Sequence, residues 1–105
     1  MGTSYYSSRF NREVNHLSPS LIYFYSGNEF DQPINRLPAG LKTLILGSSF
    51  NRSIINLPGN LIDLRLGHNF NKRVDHLPPK LKRLELGYQF DQEINSLPNN
   101  LLSLK

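Results

Sequence analysis

The sequence predicts a single β-rich solenoid, built of about five stacked 20-residue coils, because one pattern repeats along nearly the whole chain. Phenylalanine recurs every 20 residues and is followed each time by Asn or Asp; the five positions are Phe10, Phe30, Phe50, Phe70 and Phe90. Isoleucine or valine recurs in phase with them, at Val14, Ile34, Ile54, Val74 and Ile94. One such coil cannot bury its apolar side chains alone, but stacked coils cover one another and share a continuous core.

Each coil contains one short strand, which the pattern L-x-x-L-x-L marks at Leu41, Leu44 and Leu46. The last positions of this pattern alternate between inward and outward sides, as a strand requires. Stacked strands would form one parallel sheet with a spacing of about 4.8 Å. A first outward column is then Tyr23, Thr43, Asp63, Arg83 and Ser103, and a second is Tyr25, Ile45, Arg65, Glu85 and Lys105.

The rest of each coil is predicted to be an irregular return wall with extended or 3₁₀ pieces. Proline follows Leu37 and the equivalent leucines of the later coils, which predicts a turn before each strand. Glycine ends each strand, as at Gly47, where we expect a positive φ. Asn51 and its equivalents are expected to form an internal polar ladder that satisfies backbone groups at a corner.

We expect one repeat domain over residues 1–105. It divides into a degenerate N-terminal coil at 1–20, repeats at 21–40, 41–60, 61–80 and 81–100, and an incomplete coil at 101–105. No further coil in this sequence covers the apolar positions of the last one, such as Phe90, Ile94 and Leu104. An open apolar end predicts a longer array or an end-to-end homodimer through the C-terminal coil, most simply by a two-fold antiparallel strand contact.

The composition favours an intracellular, cytoplasmic protein with no membrane contact. The chain has no cysteine, which leaves it without disulfides, thiolate metal sites or a thiol nucleophile. No stretch approaches the roughly 18 apolar residues of a membrane span, and the start lacks the apolar core of a signal peptide. The 12 basic and 8 acidic side chains give a net charge of +4, a mild excess that is more typical of a soluble repeat protein than of nucleic-acid binding.

The strand pattern is similar to that of leucine-rich repeats, but the residues after the strand differ from theirs. The chain more closely resembles the FNIP repeat family, named for its F-N-x-P-I-like core. That core reads FDQPI at 30–34, FNRSI at 50–54, FNKRV at 70–74 and FDQEI at 90–94. The accompanying Leu-Pro-x-x-Leu-x-x-Leu-x-Leu-Gly is also the family's, and the resemblance covers nearly all of residues 9–105.

This resemblance implies a leucine-rich-repeat-like solenoid that binds proteins. Family members occur in social amoebae and in giant amoeba-infecting viruses, and would act in the host cytoplasm in the viral case. Many carry an N-terminal F-box, which would make the repeats the substrate-recognition part of a ubiquitin ligase. The repeats occupy nearly all of the 105 residues, which leaves no room among them for an F-box. The alternative is a structural or self-associating array without a dedicated ligand.

The outward face of the sheet is the candidate binding site. Its residues are Tyr5, Tyr23, Tyr25, Thr43, Ile45, Asp63, Arg65, Arg83 and Glu85. Tyrosine beside arginine is typical of interface hot spots, so a protein partner is expected there. Two other interpretations stay open: the opposite charges on adjacent strands form a lattice that sets the register, and the tyrosines cap the first coil.

The sequence predicts no enzyme activity, metal or cofactor. His16 and His76 lie three coils apart, about 14 Å, which is too far for two ligands of one ion. Asp63 and Glu85 form an outward carboxylate pair, but each has an arginine neighbour that favours the ionised form over a general acid. For nucleic acid, the partial basic stripe of Arg12, Arg52, Lys72 and Arg73 lacks adjacent stacking aromatics.

Overall fold

The computed structural model describes the backbone of residues 3–5 and both backbone and side chains of residues 9–94 and 96–105. The described residues form six short strands: β1 (Thr3–Tyr5), β2 (Tyr23–Tyr25), β3 (Thr43–Ile45), β4 (Asp63–Arg65), β5 (Arg83–Glu85) and β6 (Ser103–Leu104). All six lie in one sheet, in chain order, and every neighbouring pair is parallel. The predicted β-rich solenoid with one parallel sheet is therefore confirmed.

The strands pair in a register of 20 residues, so equivalent positions of successive coils lie side by side. Phe24 is paired with Leu44 and Leu44 with Leu64. These central residues are fully buried, whereas the residue on each side of them is only partly buried. The pattern follows because successive side chains of a strand point to opposite faces of the sheet. The predicted inward and outward positions are thus the ones the structure shows.

A column of phenylalanine rings runs through the core opposite the sheet. Phe50 lies between Phe30 and Phe70, with ring centroids 6.1 Å away on each side and interplanar angles of 8° and 7°. The column continues to Phe10 at 5.8 Å and to Phe90 at 6.2 Å. The three central rings are completely buried. Each of these three is therefore enclosed by the coils before and after it, so the core exists only because the coils stack.

The return wall is irregular and consists of turns, bends and extended segments. The amide of Leu41 donates to the carbonyl of Pro38 at 3.1 Å, which closes a turn before the strand. At the other end of the strand, the amide of Phe50 donates to the carbonyl of Gly47 at 3.4 Å. The described residues contain no 3₁₀ segment. Of the two predicted forms of the return wall, the irregular, extended one is therefore present.

The glycines after the strands are required for a different reason from the one predicted. Gly27 has a positive φ of 83°, but it is the only described residue that does, so the prediction is wrong for Gly47, Gly67 and Gly87. These three are stacked directly on one another. A Cβ on Gly67 would overlap the carbonyl group of Gly47 and lie 2.9 Å from the amide nitrogen of Ser48. Glycine is needed because the backbones of successive coils approach too closely for any side chain.

The predicted ladder of Asn and Asp is present, but it lies at the surface. Each ladder side chain accepts a hydrogen bond from the backbone amide of the next ladder residue. Asn71 N donates to Asn51 Oδ1 at 2.8 Å, and Asn51 N donates to Asp31 Oδ1 at 3.0 Å. Asn51 is exposed and Asp31 and Asn71 are partly exposed, so the expectation of an internal ladder is wrong. Its role of satisfying backbone groups at a corner is nevertheless the predicted one.

The last coil is less buried than the inner ones. Leu104 is 47% exposed, and Phe90 and Ile94 are partly buried, whereas the equivalent Leu84, Phe70 and Val74 are almost fully buried.

The division of the chain at residues 20, 40, 60, 80 and 100 stays a prediction. The part of the chain that the structure describes includes no membrane-spanning helix.

Candidate functional site

The outward face of the sheet brings together the predicted site residues of β2 to β5. Tyr23 pairs with Thr43 and Tyr25 with Ile45, and all four side chains are partly exposed. Tyr5 lies in β1 in register with Tyr25, but its side chain is outside the described residues. The described part of the face therefore begins with its tyrosine-rich part, which consists of Tyr23 and Tyr25 on β2 and the adjacent Thr43 and Ile45 on β3.

The two tyrosines stand on a firmly anchored strand. Between them, Phe24 is completely buried and meets the ring of Phe30 edge to face, with centroids 6.2 Å apart and an angle of 79°. Because Phe24 fixes the backbone of β2, Tyr23 and Tyr25 are presented on a rigid support. Rigid aromatic rings lose little conformational entropy on binding, which is one reason that tyrosine is common in interface hot spots.

On β4 and β5 the face carries four charged side chains in mutual contact, the charge quartet of Asp63, Arg65, Arg83 and Glu85. Its shortest contacts are the two hydrogen bonds from Arg65 to Asp63, at 3.2 Å from Nε and 3.1 Å from a terminal nitrogen. The contacts of Arg83 with Asp63 and Glu85 are longer, at 3.9 and 3.6 Å, and Arg65 lies 4.0 Å from Glu85. The quartet has no net charge.

This geometry agrees with the predicted cross-strand pairs and adds a closer one. Asp63 is in register with Arg83, and Arg65 with Glu85, as expected from the 20-residue period. The shortest ion pair of the quartet joins Asp63 and Arg65 within one strand, and sequence reasoning missed it. Residues two apart on a strand share a face, so the D-L-R sequence of β4 carried the necessary signal.

The contacts within the quartet favour the charged form of Arg65. The hydrogen bonds that Arg65 donates to Asp63 raise the pKa of its guanidinium above the ordinary value; burial opposes this effect, and the charges of Asp63 and Glu85 add to it. Since an arginine is charged at physiological pH in any case, these contacts stabilise a charge that is already present. Because both carboxylates contact both guanidinium groups, the face offers no isolated carboxylate pair for acid–base chemistry.

The histidines show no arrangement for metal binding in the described part of the chain. No group of three or more His, Asp or Glu side chains there could hold an ion. The ring of His68 stacks on Tyr88 with centroids 5.3 Å apart, and its Nδ1 lies 2.9 Å from Asn69 Oδ1. The surroundings of His68 are thus aromatic and amide groups of the surface.

The partial basic stripe of the return wall is engaged in local contacts. Nε of Arg52 donates to the backbone carbonyl of Asp31 at 2.9 Å and lies 3.4 Å from its carboxylate. Arg73 forms an ion pair of 2.7 Å with Asp75. Two of the four basic side chains in the stripe are therefore balanced by neighbouring carboxylates, which leaves little positive charge for a phosphate backbone.

One feature beside the sheet face was not predicted. The residues immediately before the strands form a further, largely exposed column, which we call the Ile–Lys row: Ile22, Lys42, Ile62, Lys82 and Leu102. Backbone hydrogen bonds hold it in register, since the amide of Lys42 donates to Ile22 O at 2.9 Å and that of Ile62 to Lys42 O at 2.8 Å. The 20-residue period alone places these residues in one column, and their exposure was the missing information.

Comparison with known proteins bears on both the repeat and the fold. The family model described as FNIP Repeat matches residues 30–68 and 70–105. The chain belongs to the FNIP repeat family. The match confirms the family assignment that the sequence motifs suggested. No curated protein matches the sequence of this FNIP chain.

A solved structure supports the fold of the FNIP chain independently. CroV588, a giant-virus protein described as "a novel circular LRR protein structure", has a TM-score of 0.81 and 38% sequence identity to it. The similarity covers 88% of the FNIP chain and 15% of the CroV588 chain. This likeness confirms the leucine-rich-repeat-like solenoid and links the repeat to giant viruses. The FNIP chain spans only a small part of the length of CroV588.

Proposed function

We propose that this FNIP chain is a non-catalytic protein-interaction module that binds its partner on the outward face of the sheet. Repeats of this family and fold are typical of protein-interaction modules. The observation that carries the proposal is the tyrosine-rich part of the face. Tyr23 and Tyr25 are partly exposed, held by the buried Phe24, and adjacent to the partly exposed Ile45.

The charge quartet supports this choice of contact residues. The charges of its four side chains balance one another. A partner that covers the quartet therefore gains polar contacts without burying an unpaired charge. We place the energetic centre of the interface on Tyr23, Tyr25, Thr43 and Ile45, with the quartet of Asp63, Arg65, Arg83 and Glu85 as its polar rim.

Capture from an amoebal lysate, followed by titration with the captured protein, tests the proposal. Tyr23→Ala with Tyr25→Ala should weaken binding by more than about 2 kcal/mol, because buried interface tyrosines are typical hot spots. Tyr88→Ala is the matched control, since Tyr88 is 87% exposed and lies outside the strands of the sheet. Equal binding by both variants, or loss of folding without a separable loss of binding in the first, would contradict the proposal.

The family resemblance also supports a proposal about the cellular compartment of the protein and the kind of partner that it binds. We propose an intracellular protein whose partner is a ubiquitination target when an F-box accompanies the repeats, and which acts in the host cytoplasm if its source is viral. The absence of cysteine supports an intracellular site. Co-precipitation of the remaining ubiquitin-ligase subunits with the full-length protein, together with fractionation of infected or expressing cells, tests this extension.

A second candidate is self-association through the C-terminal coil. A recess of about 310 Å³ opens there and is lined by Leu86, Gly87, Phe90, Ile94, Leu104 and Lys105. The equivalent surfaces of the inner coils are covered by the next coil, so a second copy could cover this one by pairing with β6. Sedimentation at micromolar concentration should show a dimer that Leu104→Lys converts to a monomer. A monomer before the substitution would refute the candidate.

A further inference from the structure

The net positive charge of the protein lies entirely on the sheet side of the solenoid. The sheet-side segments run from each proline turn to the glycine after the strand, at 18–27, 38–47, 58–67, 78–87 and 98–105. They contain six basic side chains and two acidic ones, Asp63 and Glu85. The remaining segments contain six basic and six acidic side chains. The return wall is therefore neutral, and the +4 charge of the chain belongs to the sheet side.

Four lysines account for that excess, because Arg65 and Arg83 are balanced by the two carboxylates of the charge quartet. One of the four, Lys80, donates a hydrogen bond to Asn60 Oδ1 at 2.8 Å. Lys42 and Lys82 are exposed, and in the described part of the chain neither forms an ion pair. Two uncompensated cations therefore stand in the Ile–Lys row, two strands apart.

The Ile–Lys row alternates apolar and cationic side chains beside the first outward column. Ile22 is 45% exposed and Leu102 is 81% exposed, while Ile62 is partly buried between the two lysines. Each residue of the row directly precedes a strand residue of the sheet face, so the row runs along the edge of the sheet at which the strands begin. Exposed apolar side chains interspersed with free cations are complementary to a ligand that is both acidic and apolar.

We propose that the Ile–Lys row binds an acidic, apolar peptide segment of the partner protein, which crosses the strands with one carboxylate on Lys42 and another on Lys82. The proposal rests on the function proposed for the sheet face and specifies the chemistry of its partner. Lys42 and Lys82 are separated by two strand spacings, about 9.6 Å. In a peptide with the polyproline II conformation, carboxylates three residues apart lie on the same side and are separated by about 9.3 Å, which matches that distance.

A peptide fits this surface better than a nucleic acid does. The apolar residues of the row occupy alternate positions, where a continuous phosphate backbone would require cations. The charge quartet next to the row has no net charge, so it adds no attraction for phosphate groups. An acidic peptide with apolar residues between its carboxylates meets both conditions, because it carries charge only at intervals.

A library of random twelve-residue peptides displayed on phage, selected against the folded chain, tests the inference without knowledge of the partner. Enriched peptides should carry two acidic residues three positions apart with apolar residues between them. In a fluorescence-anisotropy titration with the enriched peptide, Lys42→Gln with Lys82→Gln should raise the Kd about fivefold to tenfold, as expected for the loss of two exposed ion pairs. The affinity should also fall as salt is added.

Arg36→Gln with Lys72→Gln is the matched control, since it removes the same net charge from exposed positions of the return wall. This control should leave the Kd unchanged. Enrichment without acidic residues, no enrichment, or equal weakening by the two double variants would overturn the inference. Tighter binding of a twelve-nucleotide oligouridine, lost in Lys42→Gln with Lys82→Gln, would also overturn it and assign the row to nucleic acid.

The two proposals fail separately. If Tyr23→Ala with Tyr25→Ala abolishes capture of the cellular partner while Lys42→Gln with Lys82→Gln does not affect it, the sheet face binds the partner and the inference about the row is wrong. If neither double variant changes capture, the proposed function itself is wrong.

Discussion

Replacement of one central ring tests whether the phenylalanine column holds the coils together. Phe50 is completely buried and lies 6.1 Å from a nearly parallel ring on either side. Phe50→Ala removes a whole buried ring from between two coils, which typically costs about 3–5 kcal/mol. A domain of this length has a total stability of about 5–15 kcal/mol, so the substitution should remove a large part of it and lower the urea midpoint strongly, with partial unfolding at 25 °C only at the lower end of that range.

Phe90→Ala is the matched comparison within the same column. Phe90 stands at the C-terminal end of the column, stacks on Phe70 at 6.2 Å, and is only partly buried. Its replacement should therefore cost about half as much as that of Phe50, because less apolar area is lost from the core. Urea denaturation followed by circular dichroism measures both, and hydrogen exchange reports whether the coils open separately. Equal costs, or a cost below about 1 kcal/mol for Phe50→Ala, would refute the enclosed column.

The remaining predictions concern the backbone contacts between coils. Gly67→Ala should destabilise the chain by about 2 kcal/mol or more, because the new Cβ would overlap the Gly47 carbonyl group, whereas Gly59→Ala should be neutral or slightly stabilising since nothing lies within 4 Å of its Cβ position. Asn51→Ala should cost about 1 kcal/mol by removing the acceptor of Asn71 N, and Asn51→Asp should restore it. Both pairs are measured by urea denaturation, and equal effects within either pair would contradict the proposed contacts.

The 20-residue period was sufficient to predict the sheet and its register. A stack of equivalent coils places residue i beside residue i + 20, so Asp63 had to lie beside Arg83 and Arg65 beside Glu85. The alternation of a strand then determined which side chains face the core. These two constraints are properties of repetition and of strand geometry, and neither depends on the detailed path of the return wall.

The burial of the ladder side chains and the backbone angles of the glycines could not be predicted from the sequence in the same way. The recurrence of Asn and Asp after phenylalanine shows that each coil needs that side chain, but a surface ladder and an internal one give the same recurrence. Likewise, a recurring glycine fits a positive φ, as at Gly27, and a close backbone approach, as at Gly67, equally well. In both cases the period identified the residue, and the distance between coils determined its role.

The variation between coils supports the proposal that the outward face of the sheet determines binding specificity. Stacking requires the inward positions to keep similar shapes, and the central strand residues are accordingly Phe24, Leu44, Leu64 and Leu84. No such requirement acts on the second outward column, where Tyr25, Ile45, Arg65 and Glu85 differ in size, polarity and charge. Since the fold is indifferent to these differences, a row of unlike side chains on a rigid sheet can match one particular partner surface. The same reasoning applies to the Ile–Lys row, where isoleucine, leucine and lysine occupy equivalent positions of successive coils.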